Sequence, residues 1–198
     1  MLVLISGIVL FLGAHSLPMA RQTRAGLIER FGPGGYKGLF AVLSLAGFVL
    51  IAWGFSRYRS EGWIQIWSPP AGLSHVTLLL MWFAFVALAS MGPPPGRPRG
   101  TPSRIRGWLR HPMLVAIKIW ALAHLLANGD LGGMLLFGSF LAWAVFDRIS
   151  VKRRGDAGAA RIGAFTRADV IALVAGTVAY VAMIFLHPYL IGVSVLRG

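Results

Sequence analysis

Six apolar stretches, separated by short polar ones, run the length of the chain: residues 2–17, 36–55, 73–91, 112–127, 131–146 and 170–189. Most approach the ~20 residues that a membrane-spanning helix needs. The first, fourth and fifth are shorter and suit a thin bilayer or little tilt. None alternates apolar and polar residues with period two, which argues against a transmembrane barrel. The pattern predicts an all-α polytopic membrane bundle of about six transmembrane helices. No polar stretch is long enough for a soluble domain, so residues 1–198 read as a single integral membrane domain. No internal repeat stands out.

The breaks carry their own signals. Only Asn128-Gly129-Asp130 separates the fourth and fifth stretches. Gly129 in a left-handed conformation can end one helix, and Asp130 can cap the next, which predicts a tight helical hairpin. The run Gly92-Pro93-Pro94-Pro95-Gly96-Arg97-Pro98 cannot be helical and predicts a stiff surface connection. Gly34-Gly35 reads as a turn ahead of the second helix.

Composition agrees with the pattern. The chain is 57% hydrophobic and only 13% charged, with a mean hydropathy of +0.71. A soluble domain averages about a quarter charged residues. The balance of 19 Lys and Arg against 6 Asp and Glu would suggest nucleic acid in a soluble protein. Here the basic residues sit in short loops, so topology explains them and no nucleic-acid partner is expected. Arg21, Arg24, Arg30 and Lys37 fall in loop one. Arg97, Arg99, Arg104, Arg106 and Arg110 fall in loop three, and Arg148, Lys152, Arg153, Arg154, Arg161 and Arg167 in loop five. The other side holds only Arg57, Arg59 and Arg197. The positive-inside rule places the odd loops in the cytoplasm and both termini outside. The first charge of either sign is Arg21, after the first apolar run. The N-terminus therefore reads as an uncleaved helix rather than a signal peptide.

Chemistry has few carriers. Cysteine is absent, so no disulfide, thiolate ligand or thiol nucleophile exists. There is no GxGxxG, phosphate-binding loop, His-Glu-x-x-His or calcium loop. Acidic residues are nearly missing from the apolar stretches, which argues against a proton-coupled pump. That leaves five histidines: His15, His75, His111, His124 and His187. Neutral imidazole ligates metals and haem. Depth sorts them. His15 and His111 lie toward the cytoplasmic ends of their helices. His124 is thirteen residues beyond His111, about 20 Å further along a helix. It is therefore level with His187 and His75. Trp120, His124 and Asn128 are spaced four apart and share a stripe. Asn128 or a backbone carbonyl can then orient the imidazole. Asp147 stands as far after Gly129 as His111 stands before it, and can accept a hydrogen bond from His111. Lys118 shares the His111 face and can snorkel to headgroups.

At these residues the sequence resembles a known family. His15-Ser16 ends the first apolar run, and Gly35-Tyr36-Lys37-Gly38-Leu39-Phe40 opens the second. Arg110-His111-Pro112 is followed by Trp120-Ala121-Leu122-Ala123-His124 and then Asn128-Gly129-Asp130, Phe137-Gly138-Ser139-Phe140 and Asp147-Arg148. The pattern is similar to the bacterial NnrU family of multi-pass inner-membrane proteins, associated with nitrite and nitric oxide metabolism in denitrification. The family is related to the plant 15-cis-zeta-carotene isomerase, a membrane protein that uses haem b. Carried over by motif, the resemblance implies His15 and His124 as haem-binding, metal-ligating residues. This chain has Ala121 where the plant enzyme has a cysteine. On depth alone His111 is the alternative partner of His15. The implied activities are a supporting role in nitric oxide metabolism or, alternatively, haem-dependent isomerisation or oxidoreduction of a lipophilic polyene such as a carotenoid.

Overall fold

The computed structural model describes residues 1–92 and 103–196. Among them seven helices form: α1 (Leu2–Ser16), α2 (Arg21–Glu61), α3 (Gly72–Ala89), α4 (Arg104–Leu109), α5 (Pro112–Ala127), α6 (Leu131–Arg153) and α7 (Arg167–Leu190). Four of them, α2, α3, α6 and α7, are long and apolar enough to cross a membrane, and α1 and α5 are shorter apolar helices. These six correspond to the six apolar stretches of the sequence. The protein is an all-helical polytopic membrane protein. Large apolar side chains such as Val42, Leu45 and Phe48 on α2 and Val174, Val178 and Phe185 on α7 stand exposed. In water that would be an aggregation surface. In a bilayer it is the lipid-facing one.

Three expectations need correction. Loop one is not a loop: Arg21, Arg24 and Arg30 lie on the first turns of α2, and Lys37 lies further along it. The break falls at Gly32, whose φ of 70° and ψ of 168° leave the helical region, with Pro33 next. Only glycine adopts that conformation cheaply, and proline fits the opening turn of the helical stretch beyond it. Gly34 and Gly35 are therefore helical rather than a turn. Gly129 is not left-handed either, because its φ is not positive. The Pro93 to Pro98 part of the expected stiff connection lies outside the described residues.

The chain divides into two compact units, Met1–Ser68 with Asn128–Ser150, and Pro69–Ala127 with Val151–Gly198. In the first, α1 packs on α2 through glycines. A Cβ on Gly7 would lie 2.5 Å from the Ile51 nitrogen, and one on Gly47 would lie 2.7 Å from the Phe11 nitrogen. Such close approach is how helices gain dispersion contact where no hydrophobic effect drives them together. Gly47→Leu is expected to force the two backbones apart and to destabilise the unit by about 1–3 kcal/mol. Thermal unfolding in detergent checks this, and an unchanged midpoint would mean that α1 is not seated there.

The segment 62–68 pairs with the residues leading into α6. Ile66 N and Trp67 N donate to Gly129 O at 2.7 and 3.0 Å, and Leu131 N donates to Ile64 O at 2.9 Å. Gly129 is required for proximity, since a Cβ there would overlap the Trp67 carbonyl oxygen. Asp130 caps α6 as expected: its Oδ1 accepts from Gly133 N at 2.8 Å. It is 1% exposed.

In the second unit, α3 packs against α5 and α7. Thr77 Oγ1 donates to Ala123 O at 3.0 Å, and Trp82 Nε1 donates to Thr177 Oγ1 at 2.9 Å. Asp169 is fully buried and caps two helices at once. Its Oδ1 accepts from Ser103 Oγ at 2.7 Å and Ile105 N at 2.8 Å at the start of α4. Its Oδ2 accepts from Arg104 N at 3.1 Å and from Thr166 N, at the start of α7, at 2.8 Å.

Candidate functional site

His15 occupies the penultimate position of α1. Its Nδ1 lies 2.8 Å from Phe11 O, one turn back. A carbonyl only accepts, so Nδ1 carries the proton and the Nε2 lone pair is left free. The ring is set in an aromatic surround. Phe11 stacks on it with centroids 4.1 Å apart, Phe40 of α2 lies at 5.1 Å, and Trp143 of α6 meets it edge-on at 6.2 Å. Ser16 completes the wall, since its Oγ accepts from Trp143 Nε1 at 3.2 Å and donates to Leu12 O at 2.7 Å. Tyr36 links Phe40, at 6.5 Å, to the Arg24 guanidinium, at 5.4 Å, so the aromatic row reaches back across the Gly32 break.

His124 repeats the arrangement in the second unit. Its Nδ1 lies 2.8 Å from Trp120 O, again one turn back, so its proton likewise sits on Nδ1. The Trp120 ring lies 5.3 Å away. The backbone carbonyl thus does the orienting that the Trp120, His124, Asn128 stripe suggested. His187 Nδ1 bonds Val193 O at 2.7 Å. His75 is exposed.

His111 is held differently. Its Nε2, not its Nδ1, faces a carbonyl, that of Asp156 at 3.3 Å. The residue before it, Arg110, has φ 63° and ψ −55°, and His111 N donates to Leu109 O at 2.7 Å. This is the rare positive-φ form of the γ-turn, strained for any residue with a Cβ. The segment 156–159 clasps it. Arg110 Nη1 donates to Ala157 O at 3.0 Å, and Ala159 N donates to Arg110 O at 3.0 Å. A Cβ on Gly158, whose φ is +69°, would lie 2.7 Å from His111 Nε2.

Among the described residues no group of three or more His, Asp or Glu side chains is placed to hold a metal ion. A site built on histidines here has imidazole nitrogen as its donors, one per ring. Phe40 and Trp143 were not visible as neighbours of His15 in the sequence. Phe11 went unremarked too, although its place four residues before the histidine on one helix is a local signal that could have found it.

No curated protein and no solved structure matches the chain. One family model does, described as NnrU protein, and it covers residues 3–195, nearly the whole length. With six apolar helices in place and the histidine motifs inside the matched span, the chain belongs to the NnrU family.

Proposed function

We propose that this NnrU-family protein is a multi-pass protein of the bacterial inner membrane that binds haem b through His15 and His124 and supports nitrite and nitric oxide metabolism. The observation that carries this reading is the shared state of the two rings. Each donates Nδ1–H to the carbonyl four residues back, at 2.8 Å. Each ring therefore carries its proton on Nδ1 and has Nε2 as its unprotonated nitrogen, the kind that haem iron takes as a ligand. The carbonyl also fixes the tautomer and raises the basicity of the ligating nitrogen. His111 instead turns its Nε2 to Asp156 O, so its tautomer differs from the one that His15 and His124 share. The donor set thus fits haem, and the aromatic walls of His15 supply the dry, apolar contact that a porphyrin face takes. Bound haem would supply reversible one-electron chemistry. The chain's own residues would bind it through these imidazoles, exclude water and set their tautomers.

The haem content of the purified protein, from its pyridine haemochromogen, tests the binding. One haem b per chain is expected, and none contradicts the reading. A strain lacking the protein is expected to accumulate nitric oxide while reducing nitrite under oxygen limitation. If it handles nitrite and nitric oxide as the parent does, the metabolic assignment fails.

Topology is part of the proposal. Reporter fusions within residues 17–35, 92–110 and 154–166 are expected to register as cytoplasmic, with both termini periplasmic. One of these segments labelled from outside overturns the orientation.

One feature favours the second reading, a haem-dependent isomerase or oxidoreductase of a lipophilic polyene. The second unit has an apolar cavity of about 180 Å³, lined by Leu80, Phe83, Val86, Ile105, Leu109 and Ile119 among others. It suits a stretch of hydrocarbon rather than a polar metabolite. Incubation of haem-loaded protein with a cis-carotenoid, followed by chromatography of its geometric isomers, separates the two.

A further inference from the structure

The apolar cavity of the second unit lies against a basic edge. Val86 and Ala87 of α3, Ile105 and Leu109 of α4 and Ile119 of α5 line it. Phe83 lines it too and is 47% exposed, so the cavity opens on the lipid-facing surface. Helix α4 packs on both α3 and α5. Ile105 and Leu109 stand four apart and share the face that α4 turns to the cavity. Arg106 follows Ile105, about 100° round the helix, on the side that meets the end of α3. A Cβ on Gly92, just past α3, would lie 2.9 Å from Arg106 Nη1. The guanidinium therefore spans from α4 to the end of α3, two of the helices that wall the cavity.

Helix α4 is also seated as an interfacial element. Another of its faces packs on the segment before α7, where a Cβ on Gly107 would overlap Ala160 O. Trp108 is exposed, with the Arg104 guanidinium 5.4 Å from its ring centroid. Tryptophan and arginine beside the end of an apolar helix belong at headgroup depth. Arg106 is half-buried and has no ion-pair partner among the described residues. The carboxylate that α4 does meet, Asp169, spends its oxygens on Ser103 Oγ and on backbone N–H groups.

We propose that this cavity takes one acyl chain of an anionic phospholipid whose phosphate is bound by Arg106. A stretch of hydrocarbon fits an apolar, laterally open cavity. A guanidinium matches phosphate oxygens through parallel N–H···O bonds. Basic pockets between membrane helices are where anionic headgroups bind. A polyene would fill the cavity equally well but has no charged end for Arg106, and that guanidinium decides for the phospholipid. Neither Arg106 nor the cavity takes part in haem ligation, so the lipid binds whether or not haem does.

Delipidated, full-length protein in detergent is titrated with phosphatidylglycerol and, separately, with phosphatidylcholine of the same chains, and bound lipid is counted by native mass spectrometry. Wild type is expected to bind one phosphatidylglycerol per chain and to prefer it about fivefold, the scale of one basic residue meeting an anionic lipid. Arg106→Gln is expected to bring that ratio close to one. Arg106→Lys is expected to fall between, and carries the test if the Gln variant does not fold. Ile119→Phe, which fills the cavity, is expected to weaken both lipids about tenfold, the worth of roughly two buried methylenes, and to leave the ratio as it is. Leu80→Phe serves if that variant does not fold. Equal binding of both lipids by wild type would mean ordinary surrounding lipid and overturns the proposal. A ratio unchanged in the Arg106 variants overturns the phosphate contact, and unchanged affinity in the cavity-filled protein overturns the seating of the chain. Displacement of phosphatidylglycerol by an equimolar cis-carotenoid assigns the cavity to the polyene and overturns the proposal too.

Discussion

His124→Ala is expected to abolish the low-spin haem spectrum of the purified protein, and His15→Ala to do the same, while His111→Ala leaves it intact. The basis is the tautomer set by each ring's own helix. His15 and His124 donate Nδ1–H to a carbonyl one turn back, which makes Nε2 the unprotonated nitrogen of each ring. His111 spends Nε2 on Asp156 O and contributes to the clasp around the strained Arg110 turn. With both imidazoles in place bound haem would be low-spin, and loss of either would leave it high-spin and open to carbon monoxide or nitric oxide. Absorbance and electron paramagnetic resonance of the three variants read this directly. If His111→Ala abolishes the low-spin signal and His124→Ala does not, the ligand pair becomes His15 with His111. If His187→Ala does so in place of His15→Ala, the pair is His124 with His187.

The second large effect concerns stability. Asp169→Ala is expected to destabilise the protein by about 3–5 kcal/mol. The carboxylate is fully buried and accepts from Ser103 Oγ, Arg104 N, Ile105 N and Thr166 N. Loss of a helix cap costs about 1 kcal/mol, and here two helix starts lose theirs together. Each donor left buried and unmet adds about 1–3 kcal/mol. For a chain of this length that corresponds to a fall in Tm on the order of 6–20 °C. Asp169→Asn is expected to fall less far, because an amide keeps one acceptor oxygen where the carboxylate has two. Thermal unfolding in detergent, followed by circular dichroism, separates the two variants. A midpoint for Asp169→Ala within a degree or two of wild type would mean that α4 and α7 are not tied together by this residue.

How legible each element was in the sequence depends on the range of the interactions that form it. The apolar runs at 112–127 and 2–17 match α5 and α1 within a residue, because hydropathy and the flanking Pro112 and Ser16 are local signals. The second run fell short, at 36–55 against Arg21–Glu61. Its ends are helical without being apolar: Arg57 and Glu61 form an i,i+4 ion pair at 2.8 Å, and the Arg21 end continues until Gly32 interrupts it. Hydropathy does not see such polar turns. Helix α4 escaped notice because it has six residues and depends on Asp169, which lies 65 positions from Arg104. The histidines were legible as candidates because imidazole is scarce in apolar sequence, and the i,i+4 carbonyl that orients His124 is implied by helix geometry. The aromatic surround of His15 was not, since Phe40 and Trp143 arrive from other helices. Nor was the need for Gly129, which the Trp67 carbonyl imposes from a segment more than sixty residues away. Local pattern suggested a left-handed turn, whereas tertiary proximity is what requires the glycine.

The most direct test of the haem reading is the absorbance spectrum of the purified wild-type protein, produced with ample haem and recorded oxidised and then dithionite-reduced. A Soret band is expected in both states, with the sharp α and β bands of a six-coordinate, low-spin haem b after reduction. A protein that is folded and membrane-inserted but shows no Soret band in either state would contradict it.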